Sequence, residues 1–336
     1  MLTVETNYSL KSFNTFGLEA KAENYIRIDD VDEAREALYR RYSCKKPVLV
    51  LGGGSNILFS KDFEGTVIHP NIQGIDVAQE TKDDIYLRVG AGVCWDVFVG
   101  YCVENGWGGV ENLSGIPGNV GAAPVQNIGA YGVEAKNTIV SVKGLHVSKT
   151  KPFVLGNDAC AFGYRDSVFK HSLKRRALIT HVTFRLTKFP KFITHYGNID
   201  EELKKYDEIT LQNIRKAIID IRNRKLPDPK DLGNAGSFFK NPVIKEGKAE
   251  KLRRKYPNMP IYPAANGVKL SAAWLIEQCG WKGKKVGNVG MYKDQALVMV
   301  NYGGATAKEL VNLSKEIQLS IKNTFDVRIE PEVNIA

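Results

Sequence analysis

Apolar positions in the first part of the chain alternate between two spacings. Val31, Ala34, Leu38 and Tyr42 recur at helical intervals and predict a charged surface helix over 31–42. The run Pro47-Val48-Leu49-Val50-Leu51 predicts a short buried strand that ends in Gly52-Gly53-Gly54-Ser55-Asn56. Further strands are predicted over 65–69 and 85–89, the second followed by Gly90-Ala91-Gly92. A helix is predicted over 96–105, with Val97, Tyr101 and Val103 apolar and Gly106 as its stop. Strands over 139–147 and 177–186 follow. The region of Pro190 reads as a junction, and beyond it the spacing turns helical. Ile209, Ile214, Ala217, Ile218 and Ile221 predict a long helix over 207–224, ended before Pro227. A Gly/Asn/Pro loop over 231–242 leads to a buried helix over 271–279 stopped by Gly280, then a strand over 296–300. Leu310, Leu313, Ile317, Ile321 and Phe325 share one face of an amphipathic helix over 306–325. The segment 327–335 reads as a last strand, bent at Pro331. No internal repeat occurs.

Between Gly106 and Gly132 regular periodicity stops and glycine takes over. A flexible linker is one reading of such composition. Trp107, Val110, Leu113, Ile116, Val120, Val125 and Ile128 are interleaved with the glycines, and a linker lacks apolar anchors of that kind. A packed loop with special backbone angles is therefore expected, and long loops of that type are usually functional.

With 336 residues the chain has room for about two domains. A hydrophobic share of 43% with 25% charged residues is that of a globular chain, not a disordered, collagenous or coiled-coil one. No apolar run approaches the roughly 18 residues needed to cross a bilayer, and the first ten residues carry no secretory pattern, so the cytoplasm is expected. Five cysteines (Cys44, Cys94, Cys102, Cys160, Cys279) include no CxxC pair, and the five histidines form no ligand cluster, so neither a disulfide framework nor a metal site is expected. The net charge of +10 has three readings: nucleic acid, an anionic membrane surface, or an acidic small molecule. The densest basic runs, at 174–176, 222–225 and 251–255, carry no nucleic-acid motif.

Five constellations carry candidate chemistry. Gly52, Gly53, Gly54, Ser55 and Asn56 follow a strand, where converging backbone N–H groups suit a phosphate; a tight turn is the plainer alternative. The pentapeptide lacks both the GxGxxG and the Walker A pattern. Ser114, Gly115, Ile116, Gly118, Gly121 and Ala122, with Gln126, Asn127, Gly129 and Tyr131 beyond, suit a flat heteroaromatic ring; a self-packed loop is the alternative. Tyr164-Arg165 offers a permanent cation for a carboxylate, or a surface arginine. Ser237 stands in a glycine loop before two phenylalanines, without a GxSxG elbow or a neighbouring histidine: a proton donor or a turn serine. Glu330-Pro331-Glu332 closes the chain, either as a functional pair or as solvated charges beside an edge proline.

The order GGGSN, GIPGNVGAAPVQNIGAYG, FGYRDS, NAGSFFKNP, GVKLSAAWLIEQCG, EPEV resembles the UDP-N-acetylenolpyruvoylglucosamine reductases of peptidoglycan synthesis, the MurB family, over nearly the whole chain. The first two motifs also resemble the wider vanillyl-alcohol-oxidase-type FAD-binding superfamily. The resemblance implies an α+β fold: a two-part FAD-binding region of PCMH type, then an α+β substrate domain. Its boundaries would be 1–70 and 71–190 for the FAD subdomains and 191–325 for the substrate domain, with the tail 326–336 returning to the active site. FAD would lie on the two glycine loops, with NADPH as co-substrate delivering hydride to the flavin, which passes it to the vinyl carbon of UDP-N-acetylglucosamine enolpyruvate. The matching catalytic residues are Arg165, Ser237 and Glu332. Tyr164, Tyr196, Lys225, Asn241, Lys269, Lys282 and Gln295 match the substrate-binding positions, Tyr196 being that of the closing loop of type I members. Trp281 and Tyr292-Lys293-Asp294 depart from the family's pattern. A monomer without nucleic-acid or membrane partner is implied. Other readings are a different FAD oxidoreductase of that superfamily, or a basic nucleic-acid binder with a steep salt dependence and no visible absorption.

Overall fold

Period-two patterning in the first part of the chain is answered by two sheets. The computed structural model of the chain describes residues 2–41, 46–264 and 266–336, so Tyr42 and Cys44 lie outside the described residues. The first sheet has the order Glu5–Ser9, Lys21–Ile28, Phe63–Pro70, Val48–Val50; the first pair is antiparallel and the others parallel. A parallel pair needs a crossover, supplied between Lys21–Ile28 and Val48–Val50 by the helix Val31–Arg41. Ala34, Ala37 and Leu38 of that helix are buried with Ile26, Ile28 and Ile68. The second sheet is antiparallel throughout, ordered Pro152–Gly156, Ile139–His146, Ala177–Thr187, Asp84–Gly90, Ile75–Glu80. Strands Glu5–Ser9, Lys21–Ile28, Ile75–Glu80 and Pro152–Gly156 were not among those expected; Glu5–Ser9 is mostly polar, and Ile75–Glu80 leaves all but its first residue exposed.

The helix Trp95–Glu104 buries Trp95, Phe98, Val99, Cys102 and Val103, while Val97, expected on its apolar side, is 62% exposed. Asp96 therefore does not begin the helix; Trp95 does, and its ring meets Phe98 and Phe184 edge-on.

The chain divides into two compact units, one of residues 1–9, 21–54 and 63–224, the other of 10–20, 55–62 and 225–336. The first unit continues past Pro190. Its last helix, Leu211–Lys225, starts later than the expected position 207: Thr210 caps it through Asn213 N–H, and Ile209 is left exposed. Ile214, Ala217, Ile218 and Ile221 pack with Ile199, Leu203, Tyr206 and Tyr131.

In the second unit the expected loop 231–242 contains a strand, Gly233–Ser237, which opens the antiparallel order Gly233–Ser237, Val298–Asn301, Val289–Met291, Lys285–Val286. Its glycines hid it from a propensity reading. A three-stranded sheet of Val243–Ile244, Gly267–Leu270 and Ile261–Ala264 and the helices Glu246–Lys255, Ala272–Gln278 and Ala307–Phe325 complete the unit. Thr306 and Glu309 form a capping box on the last helix, which buries the five apolar residues expected of it. The expected final strand over 327–335 is much shorter: Asn334–Ile335 pairs in parallel with Ile57–Leu58. The α+β class is as expected. Among the described residues no helix is long and apolar enough to cross a membrane.

Candidate active site

Both glycine loops of the first unit are pressed together. A Cβ on Gly53 would stand 2.8 Å from Asn119 Oδ1 and 3.2 Å from Gly118 Cα, so only glycine permits that approach. Gly121 lies equally close to Ala91, where a Cβ would come within 2.6 Å of the alanine Cβ. Hydrogen bonds Trp95 N–H to Gly118 O, Val120 N–H to Val93 O and Gly121 N–H to Ala91 O fasten the segment to the turn after strand Asp84–Gly90. Asn119 Nδ2 adds a bond to Gly92 O at 2.7 Å. Among the described residues no acceptor takes the N–H groups of Gly52, Gly53, Gly54, Ile116 or Gly118. Gly53 and Ala122 are exposed. Such a cradle of unspent N–H donors fits the pyrophosphate of a dinucleotide such as FAD. Ser55 and Asn56, the end of the first motif, belong to the second unit.

A charged frame that no local pattern announced shapes the second loop. Ser114 is buried, its hydroxyl donating to Glu111 O at 2.6 Å. Gly115, at φ +69°, donates its N–H to Asp96 Oδ1 at 2.6 Å, and its carbonyl accepts from Arg222 Nε at 3.1 Å. Asp96 in turn makes a two-pronged pair with Arg215, at 2.6 and 2.8 Å. Burial raises the Asp96 pKa, but Arg215 and the Gly115 N–H outweigh it and hold the carboxyl below its usual range. The basic run 222–225 is thus split by function: Arg222 serves the loop, while Arg224 and Lys205 pair with the buried Glu202 and hold its carboxyl down to about 2.

Arg165 stands in a two-residue turn closed by Gly163 and Asp166, with the arginine itself at φ +52°. A non-glycine residue in this left-handed region is costly, and its neighbours must impose it. Lys170 Nζ donates to Arg165 O at 3.1 Å, His171 pairs with Asp166 at 2.8 Å, and the buried Ser167 hydroxyl donates to Val125 O at 2.5 Å. The guanidinium donates through Nη2 to Gly129 O at 2.7 Å and lies 5.6 Å from the Tyr164 ring centroid. Asn127, expected as a cofactor contact, is buried inside this arrangement, with its amide bonded to Gly163 O, Glu134 Oε2 and Lys136 N–H. Gln126, beside it, is partly buried.

Strands Gly129–Ala130 and Val133–Glu134 form a hairpin whose turn residues, Tyr131 and Gly132, both have positive φ, the type I′ geometry. A Cβ on Gly132 would stand 2.5 Å from the Tyr196 ring, and one on Gly197 would stand 2.6 Å from the Tyr131 ring. Each tyrosine thus lies over the other segment's glycine. Asn112, fully buried, ties the pair from below by donating to Tyr131 O and Ile193 O, both at 2.8 Å. The 194–198 segment is in this way docked on the hairpin that receives Arg165.

The second unit builds its part of the predicted set by other means. Asn234, buried, accepts Gly236 N–H on Oδ1 at 2.9 Å, and Gly236 adopts φ +65°. Strand pairing skips between Asn234 and Ser237, a bulge that turns Ser237 to the exposed surface. Phe238 and Phe239 behind it are fully buried and meet edge-on at 5.0 Å. Glu332 N–H donates to Phe238 O at 2.7 Å, Phe239 bridges to Pro331, and Lys240 N–H donates to Glu330 O. The backbone of Glu332 is therefore held against the residue that follows Ser237, within this unit. Asn56 Nδ2 donates to Glu332 O at 3.3 Å, and its carbonyl accepts from Asn334, so the last residue of the first glycine motif anchors the tail.

Among the expected substrate positions, Asn241 spends Oδ1 on Ala272 N–H, capping the helix that follows, and Lys269 lies beside it, opposite Val243 and 5.9 Å from the Tyr262 ring. Lys282 pairs with Glu277 at 3.0 Å, Gln295 is half-buried, and Lys225 is exposed. Trp281, read from the sequence as a departure from the family's pattern, is buried, with Lys284 4.0 Å above its ring.

The C-terminal domain family of UDP-N-acetylenolpyruvoylglucosamine reductase matches residues 228–336, and an FAD binding domain family matches 22–149. The UDP-N-acetylenolpyruvoylglucosamine reductase of Amoebophilus asiaticus is 50% identical over 337 residues, covering 99% of both chains. That of Bacteroides fragilis is 48% identical over 98% of this chain and 99% of its own. This chain belongs to the UDP-N-acetylenolpyruvoylglucosamine reductase family. The family's fold is present as well: the crystal structure of the reductase from Thermus caldophilus aligns over the full chain and 99% of its own, with a TM-score of 0.70 at 22% identity. The donor chemistry of the N–H cradle in the first unit fits FAD, the group that the matched FAD binding domain family takes.

Proposed function

We propose that the protein reduces UDP-N-acetylglucosamine enolpyruvate to UDP-N-acetylmuramate, a peptidoglycan precursor, with FAD as its cofactor and NADPH as the reductant. The observation that carries this is identity of 50% to a reductase of that name, sustained across 99% of both chains. FAD, when bound, supplies a hydride carrier between the nicotinamide and the alkene.

The chain's own residues account for the rest. Hydride arriving at the vinyl CH2 carbon leaves an electron pair on the neighbouring carbon, delocalised into the carboxylate. Arg165 places fixed positive charge where that pair accumulates, and its position is set before the reaction by the bond to Gly129 O. Ser237 gives its hydroxyl proton to the anionic carbon. A serine is a weak acid, yet the enolate is a strong enough base to take the proton from a well-placed hydroxyl. Glu332, bonded through its N–H to the residue after Ser237, belongs to the proton-delivery side. There it orients the hydroxyl or a water, and it aids the anion directly only while it carries a proton itself.

The nucleotide end is assigned to Tyr164, Tyr196, Lys225, Asn241, Lys269, Lys282 and Gln295. The net charge of +10 suits two substrates that each carry several phosphates. A monomer acting in the cytoplasm completes the reading. Anaerobic stopped-flow on the yellow holoenzyme tests it: NADPH bleaches the flavin, and UDP-N-acetylglucosamine enolpyruvate restores its colour. A protein that stays colourless after reconstitution, or a bleached flavin that the enolpyruvyl compound leaves bleached, would overturn it.

A further inference from the structure

We infer that Asn127 is a positioning residue for Arg165 and not a contact of the cofactor. The inference rests on reading Arg165 as the residue that stabilises the substrate's anion. Both ends of that arginine are referenced to the segment that begins at Asn127. The turn from which it projects is held where Asn127 Nδ2 donates to Gly163 O at 2.9 Å, and its guanidinium docks at 2.7 Å on Gly129 O, two residues beyond Asn127. The same Nδ2 donates to Glu134 Oε2 at 3.0 Å on the opposite hairpin strand, and Oδ1 accepts Lys136 N–H at 2.9 Å. Asn127 is 0% exposed and stands at φ +46°, a conformation asparagine tolerates better than most residues.

An amide has two N–H donors, and both are spent inside the protein, so none is left for a bound ring. The arrangement makes one buried side chain the common fixture of the arginine's backbone turn and of the hairpin that receives its guanidinium. Displacement of such a group by about 1 Å lowers a rate by roughly a hundredfold.

The test uses the holoenzyme of Asn127→Asp. Aspartate has the same shape and keeps the acceptor for Lys136 N–H, but it replaces the two donors with a carboxylate oxygen facing Glu134 and the Gly163 carbonyl. Expected are FAD affinity, read from flavin fluorescence, and flavin reduction by NADPH within about threefold of the parent, with reoxidation by the enolpyruvyl substrate slowed roughly a hundredfold. The deficit shrinks as pH falls, because protonation of the introduced carboxylate restores one donor; a merely structural defect would also lower FAD affinity and the NADPH half-reaction. Asn127→Asp combined with Arg165→Lys is no slower than Arg165→Lys alone. Should the single variant fail to fold, Asn127→Asp with Glu134→Gln, in which the new amide donates to the new carboxylate, is read in the same way.

Loss of FAD binding with an unchanged reoxidation rate per bound flavin would make Asn127 a cofactor ligand and overturn the inference. Losses that multiply in the double variant would also overturn it. If Arg165→Lys by itself leaves reoxidation unchanged, the reading of Arg165 falls first and the inference falls with it.

Discussion

Arg165 in the first unit and Ser237 in the second are held by opposite kinds of scaffold. Arg165 occupies a left-handed turn imposed by polar fixtures: Asn127, the Gly129 carbonyl, Lys170 and the Asp166–His171 pair. Ser237 is turned outward by a bulge and pinned by two buried phenylalanines and the backbone of the tail. A polar fixture acts through direction, and a single exchanged donor re-aims the group or leaves a buried orphan. An apolar anchor acts through volume, so trimming it lowers stability while the backbone bonds continue to set direction. The expected difference lies between the two scaffolds: substitutions among the polar fixtures of Arg165 appear in rate, and substitutions among the apolar anchors of Ser237 appear in folding.

The contrast can be sharpened first at the reacting groups. Ser237→Ala is expected to slow flavin reoxidation by the enolpyruvyl substrate by about 10²–10⁴-fold, as for loss of a positioned acid, with reduction by NADPH unchanged. If both half-reactions fall together in stopped-flow, Ser237 is not the proton donor. Arg165→Lys keeps the charge and loses the fork that docks on Gly129 O, and is expected to lower the same step by about 10²–10³-fold with FAD retained. Bound flavin lost on purification would mark Arg165 as a cofactor ligand instead. Phe238→Ala probes the apolar scaffold: a loss of about 3–5 kcal/mol in urea unfolding is expected, with turnover per folded molecule close to the parent. A rate loss without a stability loss there would break the contrast.

The smallest effect is expected at Glu202. Its carboxyl has an ordinary value of 4.5 and is held at about 2 by Arg224 and Lys205, so it takes up a proton less readily folded than unfolded. Its stabilisation is in full force above pH 4.5 and fades as pH falls toward 2. Melting temperatures of Glu202→Gln should be lower than the parent's at neutral pH, with the gap closing across that window. A gap that persists at pH 2 would show that the pair acts through packing and not charge.

The packing of the glycine segments was readable in the sequence. The interleaving of apolar residues with glycine through 106–132 marked a packed loop, and the pressing of Gly53 on Gly118 and Asn119 is the close approach those glycines imply. Helices with a clean stripe, such as Ala307–Phe325, were found almost to the residue because one face meets the core and the ends are capped locally. The misses have one cause. Strand Gly233–Ser237 has little strand propensity and exists because Val298–Asn301 pairs with it, and the edge strands Glu5–Ser9 and Ile75–Glu80 are held by one neighbour and leave most of their residues exposed. Asp96 looked like a helix starter; its partners Arg215 and Gly115 lie far along the chain, and no local window contains them.

The order of motifs along the chain determined the family and the cofactor class, because the motifs together are specific where each alone left a plainer reading open; the roles proposed for Arg165 and Ser237 rest on that resemblance. Tertiary structure alone decided which groups act through others. Asn127 sits among cofactor-loop residues in sequence and among the fixtures of Arg165 in space, and Asn56 closes one glycine motif yet anchors the tail that carries Glu332. Hydrogen bonds depend on distances of about 3 Å between atoms that can be hundreds of residues apart. Local patterning reports only what neighbours along the chain require, and the roles of these two asparagines were set by neighbours in space.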